Sequence, residues 1–253
     1  MRASISRIKT FKACRKKWYF SYHENLVPIS TPDALETGKA YHVRLEALEN
    51  GEPLENDFSK DAAMAAAYEK YIFPKFKVIA AEAELEKRIG EHILHGFVDG
   101  LSEDGYIVEH KTTSHDISEG GEYEYNLLWD EQVLAYMSLT GKRKVYYTVC
   151  RKPTIRQKKD ETDEQFYQRM VVWYDEDTES KIRVFVVERT DAEVEQFERD
   201  FESICAEMQE AEQESGKVYR NTCHCNSGGR RCEYSSICMN YKPDADYIEF
   251  VKE

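Results

Sequence analysis

Gly-Phe-Val-Asp-Gly-Leu-Ser-Glu-Asp-Gly-Tyr-Ile-Val-Glu-His-Lys-Thr-Thr, residues 96–113, is the stretch on which the fold turns. Its apolar residues alternate on either side of Ser102, Glu103, Asp104 and Gly105, so the pattern predicts two short strands joined by a tight turn. The polar exceptions carry the chemistry. Asp99 falls where Phe97-Val98-Asp99 should be a buried strand, and Glu109 and Lys111 flank His110 after Tyr106-Ile107-Val108. Alternation puts Glu109 and Lys111 on one face, and a neighbouring strand can bring Asp99 beside them.

Charges at the inner end of a sheet cost on the order of several kcal/mol unless they are paired or bound to metal. Mg²⁺ and Mn²⁺ prefer oxygen ligands, and one or two carboxylates leave positions open for water and a substrate phosphate. A lysine beside them can orient or help deprotonate the attacking water and stabilise the developing charge. The stretch therefore outlines a phosphodiester hydrolysis site. The competing reading is an ordinary ion pair, Glu109 with Lys111 on the solvated face of an edge hairpin.

Around the hairpin, 253 residues suit one large domain, or one domain with an appendage. The 35 Lys and Arg against 48 Asp and Glu leave a net charge of −13, which argues against a protein that coats nucleic acid indiscriminately. A local basic groove is still open, with clusters at Arg15-Lys16-Lys17, Lys142-Arg143-Lys144, Arg151-Lys152, Lys158-Lys159 and Arg230-Arg231. The N-terminus lacks the apolar core of a signal peptide and no apolar run is long enough to span a bilayer, so the expectation is a soluble, cytoplasmic protein. Seven cysteines are an odd number, and four of them cluster in sixteen residues, which points to metal rather than to a disulfide framework.

In chain order, Ser4 to Tyr22 has the spacing of an amphipathic helix whose buried stripe includes Cys14. Pro28 and Pro32 mark a loop. Ala34 to Glu49 predicts a second helix, with Leu35, Tyr41 or His42, Leu45 and Leu48 along one face; on its own, His42 reads as a hydrogen-bonded core or boundary residue. A third helix is expected from about Ser59 to Phe76, and a strand from Val78 to Ile89. Beyond the hairpin, Tyr125 to Leu139 predicts a helix stopped by Gly141, with Gln132 and Tyr136 four apart on one face. Val145 to Val149 and Ile182 to Val187 read as strands, Asp163 to Tyr174 as a helix whose end, Val171-Val172-Trp173-Tyr174, also suits a strand, and Asp191 to Glu214 as a long acidic helix that packs Cys205. Helices, strands, helix, strand, helix give an α/β class with a mixed sheet.

The tail changes character at Tyr219, with Cys223, His224, Cys225, Cys232 and Cys238 on Gly-rich backbone. Such loops let several sulfurs wrap one soft centre. Zinc held by the four tail cysteines, or with His224, is one reading. An iron-sulfur cluster that takes one further, distant cysteine is the other.

Taken together these residues resemble the RecB-like iron-sulfur branch of the PD-(D/E)XK nucleases, which includes CRISPR-associated RecB-like exonucleases, the AddB nuclease domain and phage recombination exonucleases. Ser6 to Tyr22, with Cys14 ahead of Trp18-Tyr19-Phe20, looks like that family's opening helix. Gly38-Lys39-Ala40-Tyr41-His42 looks like its G-x-x-x-H element, Gly96-Phe97-Val98-Asp99 like G-x-[IV]-D, Glu109-His110-Lys111 like (D/E)-x-K, and Gln132 to Tyr136 like Q-x-x-x-Y. The resemblance implies one nuclease domain over residues 1–253, divided into an N-terminal helical part (1–77), a nuclease core (78–190) and a C-terminal helix with the Cys-rich segment (191–253). The fold it implies is restriction-endonuclease-like, a mixed central sheet flanked by helices, with a Cys-rich iron-sulfur flap joining the two chain ends.

The same resemblance implies a site. His42, Asp99, Glu109 and the backbone carbonyl of His110 would hold Mg²⁺ or Mn²⁺, Asp99, Glu109 and Lys111 would be catalytic, and Gln132 and Tyr136 would contact DNA. Glu82 is similar to a less constant acidic position. A 4Fe-4S cluster would be held by Cys14, Cys225, Cys232 and Cys238, although the spacing departs from the common pattern and Cys223 competes with Cys225 for the third place. The implied activity is metal-dependent exonucleolytic hydrolysis of DNA at single-stranded or duplex ends, in recombination, repair or phage or CRISPR DNA processing, with protein partners from those systems. The alternatives are a non-catalytic nucleic-acid-end or protein-binding module with a structural iron-sulfur or zinc site, and a zinc-binding protein whose hairpin is merely structural.

Overall fold

The computed structural model describes residues 1–28, 33–75, 78–227, 230–239 and 250–252. The element order is β1 (Arg2–Ser4), α1 (Ile5–Ala13), α2 (Arg15–Trp18), β2 (Leu26–Pro28), α3 (Asp33–Glu49), α4 (Lys60–Tyr71), β3 (Val78–Ile89), β4 (His92–Ser102), β5 (Ile107–Thr113), α5 (Glu122–Leu127), α6 (Glu131–Thr140), β6 (Lys144–Arg151), α7 (Asp163–Glu176), β7 (Ile182–Glu188), α8 (Asp191–Gln213), β8 (Asn226–Ser227), β9 (Arg230–Arg231), α9 (Ser235–Cys238) and β10 (Phe250–Lys252). Contacts divide the chain into two units. One comprises Met1–Pro32, Glu86–His95 and Gln196–Glu253; the other comprises Asp33–Leu85 and Gly96–Glu195.

The second unit holds the quoted hairpin. β4 and β5 pair antiparallel with Gly100 opposite Val108, β5 and β6 pair parallel with Glu109 opposite Tyr147, and β6 and β7 pair antiparallel with Tyr147 opposite Phe185. The result is the mixed sheet that the sequence pattern predicts. The hairpin turn closes as Gly105 takes φ 73°, where a side chain would be strained, and donates its N–H to Ser102 O at 2.8 Å.

Strand alternation divides the core. Val98, Ile107, Val145, Tyr147, Val149 and Phe185 pack on one face with Val133, Tyr136 and Met137 of α6. Cys150 and Ile182 face the other way, onto Tyr41, Leu45 and Leu48 of α3, Met64 and Tyr68 of α4, and Tyr174 of α7. Helices therefore cover both faces, and a strand such as β5, with both sides shielded, reads as a near-continuous buried run. α7 opens with a capping box, Thr162 accepting from Gln165 N–H while the Gln165 side chain accepts from Thr162 N–H.

In the other unit β1 pairs parallel with the start of β4, Ala3 opposite Leu94, and β2 pairs antiparallel with β10. Trp18, Ile8, Phe11, Cys205 and Met208 are buried there. Ion pairs link Arg7 to Glu212 at 2.9 Å and Lys87 to Glu198 at 2.7 Å. Among the described residues no helix is long and apolar enough to cross a membrane.

Several expected features differ. The helix from Ser4 to Tyr22 is broken at Cys14, which takes an extended backbone (φ −162°, ψ 113°) between α1 and α2, with a π-helical turn over Tyr19–His23. Asn221 compensates the break, donating its Nδ2–H to Ala13 O at 2.9 Å and its backbone N–H to Cys14 Sγ at 3.4 Å. The helix from Tyr125 to Leu139 is two helices, because Asp130 turns its carboxylate back to cap Gln132 N–H at 3.1 Å and starts α6 afresh. Leu35, expected on the buried stripe of α3, is exposed. The helix expected to about Phe76 ends earlier, at Tyr71, and a 3₁₀ turn over Phe73–Lys75 follows; the loop at Pro32, Phe76 itself, Gly228-Gly229 and the side chain of Glu82 lie outside the described residues.

Candidate active site

β5 places Glu109, His110 and Lys111 in consecutive positions beside Tyr147, Thr148 and Val149 of β6. Glu109 is only 2% exposed. The Lys111 ammonium donates to Glu109 Oε1 and, at 3.1 Å, to Gln132 Oε1. Gln132 Nε2 donates to the same Glu109 oxygen at 2.9 Å and contacts the Tyr136 hydroxyl, which in turn donates to Phe97 O at 3.2 Å. The i, i+4 pair on α6 thus faces the carboxylate, and Tyr136 is buried. Among the described residues Glu109 Oε2 is buried without a well-formed hydrogen bond, and the Tyr136 hydroxyl interacts with the same carboxylate.

Asp99, on β4, accepts the His110 backbone N–H at 2.7 Å through Oδ2, and its Oδ1 lies 3.4 Å from His42 Nδ1 on α3. The structure therefore brings His42, Asp99, Glu109, His110, Lys111, Gln132 and Tyr136 into one neighbourhood. It does not present a finished cage: among the described residues no three His, Cys, Asp or Glu side chains are gathered closely enough to hold a metal ion.

Electrostatics explain how such a group survives inside a sheet. Burial raises the Glu109 pKa, and the neighbouring Lys111 charge offsets this only in part. Burial opposes the Lys111 charge, but the Glu109 carboxylate outweighs it and the Lys111 pKa is raised, so the side chain is an ammonium. Burial would raise Asp99 as well; the His42 hydrogen bond, the electrostatic influence of the nearby imidazoles and the His110 N–H together leave it lowered. His42, destabilised as a cation by burial, is raised by Asp99.

Behind this group lies a second layer that the motifs did not reveal. His110 Nδ1 is 2.7 Å from Thr148 Oγ1, and His110 Nε2 is 3.0 Å from Glu49 Oε1, with the two side chains 3% and 1% exposed. Tyr68 donates its hydroxyl to the same Glu49 oxygen at 2.8 Å. Glu49 stands seven residues after His42 on α3, two turns along the same face. That spacing was the available signal.

Every cysteine except Cys150 sits in the other unit. Cys14, Cys225, Cys232 and Cys238 line one cavity of about 20 Å³, together with Lys17, Phe20, Asn221 and His224. Cys223 is exposed and does not line it. The Cys225 carbonyl accepts the Cys232 N–H at 2.8 Å. Burial raises the Cys232 and Cys238 thiols.

A mixed sheet with helices on both faces, carrying an acid pair and a lysine across a two-strand hairpin, defines an α/β protein with the side-chain set of a phosphodiesterase. The chain belongs to the PD-(D/E)XK nuclease superfamily, whose sequence model matches residues 2–76 and 62–239. In fold it is similar to a candidate exonuclease from Eubacterium rectale, at 12% identity and a TM-score of 0.56 over 97% of this chain and 90% of that one. A phage-related exonuclease from Haemophilus somnus 129PT aligns more loosely, at 15% identity and a TM-score of 0.41 over 76% of this chain and 91% of that one. An alkaline exonuclease from Laribacter hongkongensis does so too, at 12% identity and a TM-score of 0.36 over 86% and 95%. Comparison with curated protein sequences gives no match. Nucleases of this superfamily use divalent metals such as Mg²⁺ or Mn²⁺.

Proposed function

We propose that the chain is a metal-dependent DNA exonuclease that hydrolyses phosphodiester bonds at single-stranded or duplex ends, acting in the cytoplasm in recombination, repair or phage or CRISPR DNA processing. The observation that carries the reading is Glu109 Oε2, a buried carboxylate oxygen beside Lys111 that makes no well-formed hydrogen bond to any described residue. An orphaned anionic oxygen is costly in a sheet interior, and a divalent cation is the partner that removes the cost. Asp99, Glu109, His42 and the His110 carbonyl would hold Mg²⁺ or Mn²⁺, which supplies Lewis-acid stabilisation of the phosphate oxygens and a more acidic water.

Lys111, kept as an ammonium by Glu109, orients the attacking water and stabilises charge building on the phosphate. Gln132 holds both Lys111 and Glu109 and would contact the DNA strand beside them, with Tyr136 supporting it from the interior. Cys14, Cys225, Cys232 and Cys238 are the donor types of a 4Fe-4S cluster, and although the cavity they line is only about 20 Å³ and does not gather them closely enough to hold a metal, such a cluster would have a structural role, tying the N-terminal helices to the Cys-rich segment of their own unit. Anaerobically purified protein is then brown with a broad absorption near roughly 400 nm; a colourless protein with stoichiometric zinc replaces the cluster in this reading.

Cleavage of end-labelled single- and double-stranded DNA with Mg²⁺ or Mn²⁺ tests the function, intact protein against Lys111→Ala. We expect metal-dependent shortening from the ends and a loss of about 10²–10³-fold in kcat in the variant, with DNA binding retained. Equal rates for the two proteins, or no cleavage by cluster-loaded protein, would overturn the reading in favour of a non-catalytic binding module.

A further inference from the structure

Glu49 and His110 form a buried acid–imidazole pair on the far side of the peptide that carries Glu109 and Lys111. The His110 ring hydrogen-bonds Thr148 of β6 through Nδ1 at 2.7 Å, and its Nε2 lies 3.0 Å from Glu49 Oε1 of α3. Tyr68 of α4 fixes the carboxylate through its hydroxyl at 2.8 Å and lies edge-on to the His110 ring, centroids 5.2 Å apart. Glu49 Oε2 and His110 Nε2 are buried without a formed hydrogen bond. Packing alone does not call for this, since an apolar pair of similar volume at such a site is often neutral or stabilising.

What the pair touches explains its presence. The His110 N–H is the donor to Asp99 Oδ2, so any rotation of the His110 residue moves the hydrogen bond that aims Asp99 and shifts the flanking Glu109 and Lys111. α3 also carries His42, 3.4 Å from the other Asp99 oxygen. One helix thus reaches the Asp99 carboxylate twice, directly through His42 and indirectly through Glu49 and His110.

We propose that Glu49 is a positioning residue that, by clamping His110 against Thr148, sets the relative orientation of Asp99 and Glu109 for the divalent metal and the substrate phosphate. The inference rests on the nuclease reading above and assigns a role to a residue that does not itself reach the reacting atoms. Supporting residues of this kind, when removed, change metal affinity or activity by about 10–100-fold.

The test is Glu49→Gln, which keeps the shape and removes the charge, compared with wild type for thermal midpoint, kcat, KM for DNA, and Mn²⁺ affinity by titration calorimetry without DNA. The expected result is a folded variant whose kcat falls and whose Mn²⁺ dissociation constant rises by about tenfold each, with KM within twofold. A folded variant with kcat and Mn²⁺ affinity both within twofold of wild type overturns the proposal. If Glu49→Gln does not fold, Thr148→Val removes the other ring contact at constant volume and is judged by the same two quantities. Wild-type protein that binds Mn²⁺ but cleaves no DNA would refute the nuclease reading while leaving the calorimetric comparison to decide the role of Glu49.

Discussion

The acid–lysine group on β5 and the cysteine cavity are both polar features in otherwise apolar surroundings, yet they are held in opposite ways. Around Glu109 nearly every polar atom is engaged by a side chain of the same unit: Lys111 and Gln132 on one oxygen, His110 N–H and His42 on Asp99, Glu49 and Thr148 on His110. The site is built largely by protein hydrogen bonds, with Glu109 Oε2, Glu49 Oε2 and His110 Nε2 buried without a well-formed one. The cavity is lined by Cys14 from the break between α1 and α2 and by three thiols around a short hairpin and a four-residue helix, and burial raises Cys232 and Cys238. On the iron-sulfur reading proposed above, its geometry depends on what the sulfurs bind. A preformed site tolerates loss of its ion; a site made of thiols on loops does not.

Cysteine substitution should give the largest stability difference. Cys14→Ser or Cys232→Ser is expected to lower stability by several kcal/mol, on the order seen when structural metal ligands are lost, and to bleach the absorption of the purified protein. Cys223→Ser, outside the cavity, should stay within about 0.5 kcal/mol by the same melt. Equal effects at all three positions would dissolve the contrast between the two regions. Removing metal with a chelator from the β5 site, by contrast, should leave the fold in place, as circular dichroism would show.

A smaller loss is expected from Asp130→Ala. It deletes the cap on Gln132 N–H and the acceptor for the Tyr147 hydroxyl at 3.2 Å, which costs about 1–2 kcal/mol in urea denaturation. It should also lower activity, because α6 carries Gln132 toward Lys111 and Glu109.

The smallest effect concerns pH. The folded-state pKa of His42 is raised above its ordinary 6.5, so its contribution to stability is fully present below that value and is lost as pH rises through the folded-state pKa. In chelator, the stability gap between wild type and His42→Gln should be larger on the acid side of neutrality than on the alkaline side. A gap independent of pH would show that Asp99 does not pair with His42. Because both side chains are partly solvated, the effect is screened by salt.

The hairpin and its three polar exceptions were legible because strand alternation is local: two residues apart means one face, and a Gly in a turn means reversal. The sheet class, the strand at Val145 and the long acidic helix followed from the same periodicities. What periodicity could not show was where a polar side chain would interrupt a helix. Asp130 and Cys14 both sit inside apolar spacings that continue across them, and each break depends on a partner: the capped amide of Gln132 beside Asp130, and Asn221 some two hundred residues away from Ala13. Glu49 was missed because an acidic residue at a helix end reads as a solvated cap, and only the arrival of His110 and Tyr68 buries it.

The sequence by itself determined the residue types, their order and which faces they share: an alternating hairpin with Asp99, Glu109 and Lys111, a helix with His42, a helix with Gln132 and Tyr136, and a cysteine-rich tail. Tertiary structure alone decided that His42 reaches Asp99 across elements and that Gln132 bridges Glu109 and Lys111. It alone put a buried glutamate behind His110. These are contacts between residues far apart in the chain, fixed by how α3, α6 and β4 pack on β5, and no local pattern encodes the distance between two elements that a whole core holds together.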